Sequence, residues 1–189
     1  WTKDMDAENK PVMVYIHGGG FAWGGTADPL YNGSTIVEQH EDVIVVSMNY
    51  RLGMFGEIDF SKVQGGEDFP DSKNLSMLDL MQGLTWIQEN ITSFGGDPEN
   101  VTIFGESAGG AFASLLTASP DAQGLFNRAI AESGCVNLTF DQEDFDATGT
   151  TEALLEATGA KNMDDLMAIP EEELIRIYTE EDLDGEGTT

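Results

Sequence analysis

Basic residues are scarce. Eight Lys and Arg stand against 35 Asp and Glu in 189 residues, a formal charge of −27. Binding to a phosphate backbone needs clustered cations, so the composition argues strongly against a nucleic-acid partner. Cysteine is scarcer still: Cys135 alone excludes an intrachain disulfide framework and any multi-cysteine metal site. There are only two histidines, His17 and His40. No apolar run approaches the ~20 residues of a membrane-crossing helix. No charged-then-apolar leader follows Trp1, so a targeting segment is expected to be absent from this chain, whatever its parent gene product carries.

What remains is the composition of a folded domain. Hydrophobic residues make up 40% of the chain, enough to bury one core, and a single domain over residues 1–189 is the expectation. The acidity is uneven. Residues 1–140 carry 19 acids and 6 bases, whereas residues 141–189 carry 16 acids and 2 bases. The first part is expected to hold a sheet core and the second to be an acidic helical segment, with Thr179–Thr189 a loop or disordered end. Such a surface repels itself, and high salt would relieve the repulsion.

Apolar, β-branched runs at 12–17 (VMVYIH), 43–48 (VIVVSM) and 101–104 (VTIF) read as strands, with a weaker fourth at 128–132 (RAIAE). Their near-continuous apolar character predicts burial on both faces, as in a parallel sheet. Leu80, Leu84, Ile87 and Ile91 fall on one helical face until Phe94-Gly95-Gly96-Asp97-Pro98 breaks it. Residues 108–117 read as a helix ended by Ser119-Pro120, and 151–158, 163–168 and 171–178 as short acidic helices. Strand alternating with helix predicts an α/β layer fold.

Two segments carry chemistry. Gly105-Glu106-Ser107-Ala108-Gly109 is a G-x-S-x-G pentapeptide between a strand and a small-residue helix. A sharp strand-to-helix turn needs small neighbours; it pushes a serine hydroxyl out above the sheet, beside a helix N-terminus that favours developing negative charge. The pentapeptide alone is a weak signal. The context strengthens it, because His17-Gly18-Gly19-Gly20-Phe21 also sits where a strand ends. Glycines let backbone N–H groups approach a substrate, and such donors suit the oxyanion of acyl transfer. The same glycines match neither a phosphate-binding nor a dinucleotide-binding pattern.

With these two segments stand Asn49-Tyr50-Arg51-Leu52-Gly53, Trp86–Ile91, Phe94–Asn100 and Phe126–Gly134, in that order along the chain. Together they resemble the type-B carboxylesterase family, which includes the cholinesterases, over residues 1 to about 178. Leu80 and Cys135 depart from residues common in that family. The resemblance implies an α/β-hydrolase fold with a central, mostly parallel sheet and crossover helices, incomplete at both ends. It implies Ser107 as nucleophile, Gly19, Gly20 and Ala108 as oxyanion donors, and Glu106 as a supporting acid. The implied substrate is a small carboxylic ester, and neither metal nor organic cofactor is required. In this fold the serine is followed by an acid and then a histidine, yet both histidines here precede Ser107. His17 is expected to shape the glycine loop and His40 to lie on the surface. The resemblance places the triad acid and histidine beyond Thr189 and the early strands before Trp1. The chain is therefore read as an internal fragment, inactive alone, of a serine esterase. A non-catalytic cholinesterase-like adhesion or scaffold domain is the alternative, and a pseudo-hydrolase folding by itself a third.

Among lesser candidates, Trp86 is expected in the core, whereas Phe21 and Trp23 could line a pocket. Cys135 is expected to be a small buried hydrophobe. Five N-x-[ST] sequons, at Asn32, Asn74, Asn90, Asn100 and Asn137, would matter only in a secreted eukaryotic protein. The motifs do not encode acyl or alcohol preference, oligomeric state or compartment.

Overall fold

The structure, a computed structural model, describes residues 1–135, 149–180 and 183. Contacts divide the chain into two compact units, Trp1–Tyr50 with Met77–Thr139, and Arg51–Ser76 with Phe140–Thr189.

The first unit holds a four-stranded sheet in the order β2-β1-β3-β4, with every neighbouring pair parallel. The strands are β1 (Lys10–Ile16), β2 (Ile44–Met48), β3 (Gly96–Glu106) and β4 (Arg128–Glu132). Parallel pairing requires a crossover between successive strands. Helices α1 (Ser34–Gln39), α2 (Leu75–Asn90) and α3 (Ala108–Ala118) lie in the three connections. β3 begins earlier than its apolar run suggests, and its register against β1 shifts between Lys10 and Val12.

Alternation along the strands separates two faces. Val12, Val14, Ile16, Val101 and Ile103 are fully buried (0% exposed), as are Leu80 and Leu84 of α2. Leu80 and Leu84, with Ile87 and Ile91, form the buried helical face predicted from their spacing. Gln88 ties α2 down by donating to the carbonyls of Pro98 (2.9 Å) and Leu125 (3.0 Å). The opposite face is more open: Met13, Tyr15, Thr102 and Phe104 are only half-buried, and all five residues of β4 are exposed. Burial on both faces of every strand, as the apolar runs predicted, is thus not found among the described residues.

Two local expectations are also corrected. Trp86 is 46% exposed and packs against Phe94, ring centroids 5.9 Å apart. It lies two residues past buried Leu84, about 200° round the helix and so off the core stripe. Cys135 is exposed, because it follows the exposed edge strand β4. His40 is exposed at the C-terminus of α1, as expected.

The second unit packs Met54, Ile58, Val63, Leu154, Met163 and Leu166 into its own small core. Its helices are α4 (Thr150–Thr158), α5 (Met163–Met167) and α6 (Glu171–Glu180). Asn162 caps α5 by accepting from the Asp165 amide at 2.8 Å. Three glutamates in the first turn of α6 suit the positive end of the helix dipole. Thr179 and Glu180 belong to α6 and not to a terminal loop; Arg176 pairs with both Glu173 and Glu180. The remainder of the expected terminal loop, apart from Leu183, and the Asn137 sequon lie outside the described residues.

Candidate active site

Strand register brings the two chemical segments together. Ile16, the last residue of β1, pairs with Gly105 near the end of β3, so the glycine loop and the serine turn leave the sheet side by side. In open parallel sheets this carboxyl edge is where ligands bind. The contact is close: a β-carbon on Gly18 would lie 3.2 Å from the Ser107 Cβ and 2.7 Å from the Glu106 carbonyl.

Ser107 joins β3 to α3 with φ 56° and ψ −122°, a conformation that residues bearing a β-carbon rarely adopt. Its amide donates to the Glu132 carbonyl of β4 at 2.9 Å, and its carbonyl accepts from the Ala111 amide at 3.0 Å, opening the helix. The turn is possible because α3 can sit on the strand ends. A β-carbon on Gly109 would stand 2.0 Å from the Ile16 carbonyl oxygen. The Ser107 side chain is half-exposed, and its hydroxyl makes no hydrogen bond to another described residue.

Gly19 and Gly20 have φ of 115° and 58°. The Gly19 carbonyl accepts from the amides of Ala22 and Trp23, both at 3.0 Å, which closes the loop. The amides of Gly19, Gly20 and Ala108 donate to no described residue. For Ala108, only 1% exposed, that is a buried donor without a partner among the described residues, at the head of a helix.

His17 lies beneath the loop. Its Nδ1 donates to the Gly18 carbonyl at 2.7 Å, and its ring stacks on Tyr50. Phe21, at the far end of the loop, packs edge-on against Phe112 of α3, whereas Trp23 is exposed.

Glu106 is exposed at the end of β3. Beside it lies a cavity of about 400 Å³ whose walls include Tyr15, Tyr31, Phe104 and Ile36. Burial first, then the neighbouring Tyr31, Glu106 and Glu132, push the Tyr15 hydroxyl up to about 12, so it stays a neutral donor. Among the described residues no group of three or more His, Cys, Asp or Glu is gathered as a metal would need, and no helix is long and apolar enough to cross a membrane.

No role for Tyr50, Asn49, Tyr15 or Tyr31 is visible in the sequence. Asn49 and Tyr50 were visible only as part of a motif; in the structure both address the glycine loop, Asn49 by accepting from the Thr26 amide at 2.9 Å and Tyr50 by donating to the His17 carbonyl at 2.6 Å.

The sequence model described as the carboxylesterase family matches residues 1–185. The chain belongs to the carboxylesterase family. Among its carboxylesterase relatives, the para-nitrobenzyl esterase of Bacillus subtilis (strain 168) is 46% identical over 178 residues, covering 93% of this chain and 35% of that protein. The liver carboxylesterase of Sus scrofa is 50% identical over 124 residues, 66% of this chain and 20% of that protein. The crystal structure of a Geobacillus stearothermophilus carboxylesterase superposes with a TM-score of 0.88 at 40% identity, over 95% of this chain and 37% of that one. The fold is thus that of the carboxylesterase α/β-hydrolases, and the chain spans about a third or less of the length of these relatives.

Proposed function

We propose that these residues form the nucleophile and oxyanion half of a carboxylic ester hydrolase. The observation that carries the reading is Ser107. It is a half-exposed hydroxyl on a strained turn, packed against a glycine loop, with three uncommitted amides on the flanking segments. In the reaction the Ser107 Oγ attacks the ester carbonyl carbon, and the C=O electron pair moves onto oxygen. The amides of Gly19, Gly20 and Ala108 stabilise that oxyanion. Collapse breaks the bond to the alcohol oxygen, which leaves protonated, and an acyl group remains on Ser107. Water then adds to the acyl carbon, and the acid departs as the serine regains its proton. Glu106, beside the nucleophile, is assigned a supporting role; its carboxylate is exposed and hydrogen-bonds no described residue, so its partners are assigned to polypeptide outside the described residues. The steps use side chains, backbone amides and water alone, with a small carboxylic ester as substrate.

A base must take the serine proton and later return it, and an acid must orient that base. His40 is exposed at the end of α1, and the bare Nε2 of His17 is buried and hydrogen-bonds no described residue, Ser107 included. The base and its acid are accordingly assigned to polypeptide outside these 189 residues, and the isolated chain is expected to show little or no turnover. All 189 residues are read as part of one α/β-hydrolase domain, a reading supported by the family match over residues 1–185.

The test is labelling of the full-length protein by a fluorophosphonate. Mass spectrometry should find the adduct on Ser107, and Ser107→Ala should lose both the adduct and hydrolysis of para-nitrophenyl acetate. An unlabelled, inert wild-type protein would instead favour a non-catalytic adhesion or scaffold domain.

A further inference from the structure

Two of the three candidate oxyanion donors sit in a glycine loop, where nothing intrinsic to the residues fixes their direction. In a trans peptide the carbonyl of one residue and the N–H of the next lie in one plane and point in opposite directions. The aim of the Gly19 N–H is therefore set by whatever holds the Gly18 carbonyl, and the aim of the Gly20 N–H by whatever holds the Gly19 carbonyl. The two are held differently. The Gly19 carbonyl is fixed from within the loop by the Ala22 and Trp23 amides. The Gly18 carbonyl is held by a side chain, the His17 Nδ1.

A carbonyl only accepts, so Nδ1 carries the imidazole proton, and Nε2, which is buried without a hydrogen-bond partner among the described residues, is the bare nitrogen. No second hydrogen bond from a described residue anchors this ring. Tyr50 holds it, by stacking at 4.4 Å between centroids with 15° between planes and by donating its hydroxyl to the His17 carbonyl at 2.6 Å. Phe112 of α3 meets Tyr50 edge-on at 5.0 Å, and Phe21 meets Phe112 edge-on at 5.2 Å. The series His17, Tyr50, Phe112, Phe21 grips the glycine loop at both ends and joins it to the helix that begins at Ala108.

We propose that Tyr50 is a positioning residue that, through His17, aims the Gly19 N–H at the substrate oxygen above Ser107 and, through Phe112, sets the loop in register with the Ala108 amide. The proposal rests on the reading of Ser107 and its flanking amides given above. Tyr50 touches neither the ester nor Ser107 in this scheme. Gly24 guards the same bond: a β-carbon there would lie 2.8 Å from both the Gly18 oxygen and the His17 Nδ1.

The test compares wild-type full-length protein with Tyr50→Phe, which keeps the ring and loses the hydroxyl, and with His17→Leu and His17→Asn. Asn keeps a donor close to the position of Nδ1. With para-nitrophenyl acetate, Tyr50→Phe should lower kcat about tenfold and His17→Leu about a hundredfold, with KM nearly unchanged and His17→Asn recovering most of the loss. Independently of turnover, the Gly19 amide cross-peak in a ¹⁵N-correlated spectrum should move in Tyr50→Phe and His17→Leu and return in His17→Asn. The Gly20 cross-peak, whose peptide is fixed from within the loop, should stay. A Tyr50→Phe kcat within about twofold of wild type, a loss carried in KM, or an unmoved Gly19 cross-peak overturns the proposal. Failure of the esterase reading looks different: wild-type protein would neither turn over nor take the fluorophosphonate, while the amide shifts would still report whether Tyr50 sets the Gly19 peptide.

Discussion

Ser107 is held at φ 56° and ψ −122°, a conformation that costs a residue with a β-carbon about 1–3 kcal/mol. The cost persists because the Glu132 carbonyl on one side and the Ala111 amide on the other hold the Ser107 backbone in place. If the turn exists to present a hydroxyl, stability is being traded for reactivity, and the trade can be measured. Ser107→Gly removes the strain and should stabilise the protein by about 1 kcal/mol, after allowance for the greater freedom of glycine in the unfolded chain. Ser107→Ala keeps the β-carbon and should show no such gain. Both variants should be inert to a fluorophosphonate. Equal denaturation midpoints for the two variants would mean that the backbone here is not strained.

At the scale of elements, the second unit carries a titratable group in an unfavourable place. Glu57 follows the short turn at Gly53–Phe55, and burial pushes its carboxyl from an ordinary 4.5 up to about 7, against a smaller downward pull from a hydrogen bond with Ser76. A raised carboxyl favours the protonated form in the folded state. Below the unfolded value both states hold the proton and this contribution is at its best. As pH climbs towards about 7, the unfolded chain sheds its proton first and stability falls. The full displacement is worth roughly 3 kcal/mol. Glu57→Gln should therefore flatten the decline in melting temperature between about pH 5 and pH 7 and leave the variant the more stable protein at pH 8. Parallel declines in wild type and variant would assign the pH dependence to other groups. The sequence did not hint at this site, and the reason is general. β1, β2 and α2 were legible because each buries apolar side chains, and the glycine loop and serine turn because their backbone admits few residue types. The segment 51–76 has no such period; short turns hold it to the acidic helices, including an isolated bridge between Gln64 and Asn162. Tyr50 meets His17 and Tyr15 meets Phe104 across neighbouring chain segments, which residue spacing along one strand does not encode. The exposure of β4 was missed for the same reason, since its pattern says nothing about its place at the edge.

For the molecule as a whole the governing quantity is charge. Of the eight cationic side chains, Lys3, Lys73 and Arg176 are already spent on carboxylates, which leaves most of the 35 acids without a counter-charge of their own. The exposed pairs of Lys3 and Arg176 contribute little, so the net repulsion among like charges dominates the surface term. It is greatest over residues 141–189, where 16 acids meet 2 bases. Repulsion of this origin is long-ranged in dilute buffer and falls away as the screening length contracts from about 10 Å at 0.1 M salt to about 3 Å at 1 M. The melting temperature should therefore rise by several degrees between about 0.1 M and about 2 M KCl, a salt chosen to avoid the exclusion effects of sulfate. The rise should be steepest at the low end, where the screening length changes most. A flat or falling profile would mean that the acidic surface is already neutralised in the folded state, and that its excess of carboxylates imposes no cost for salt to relieve.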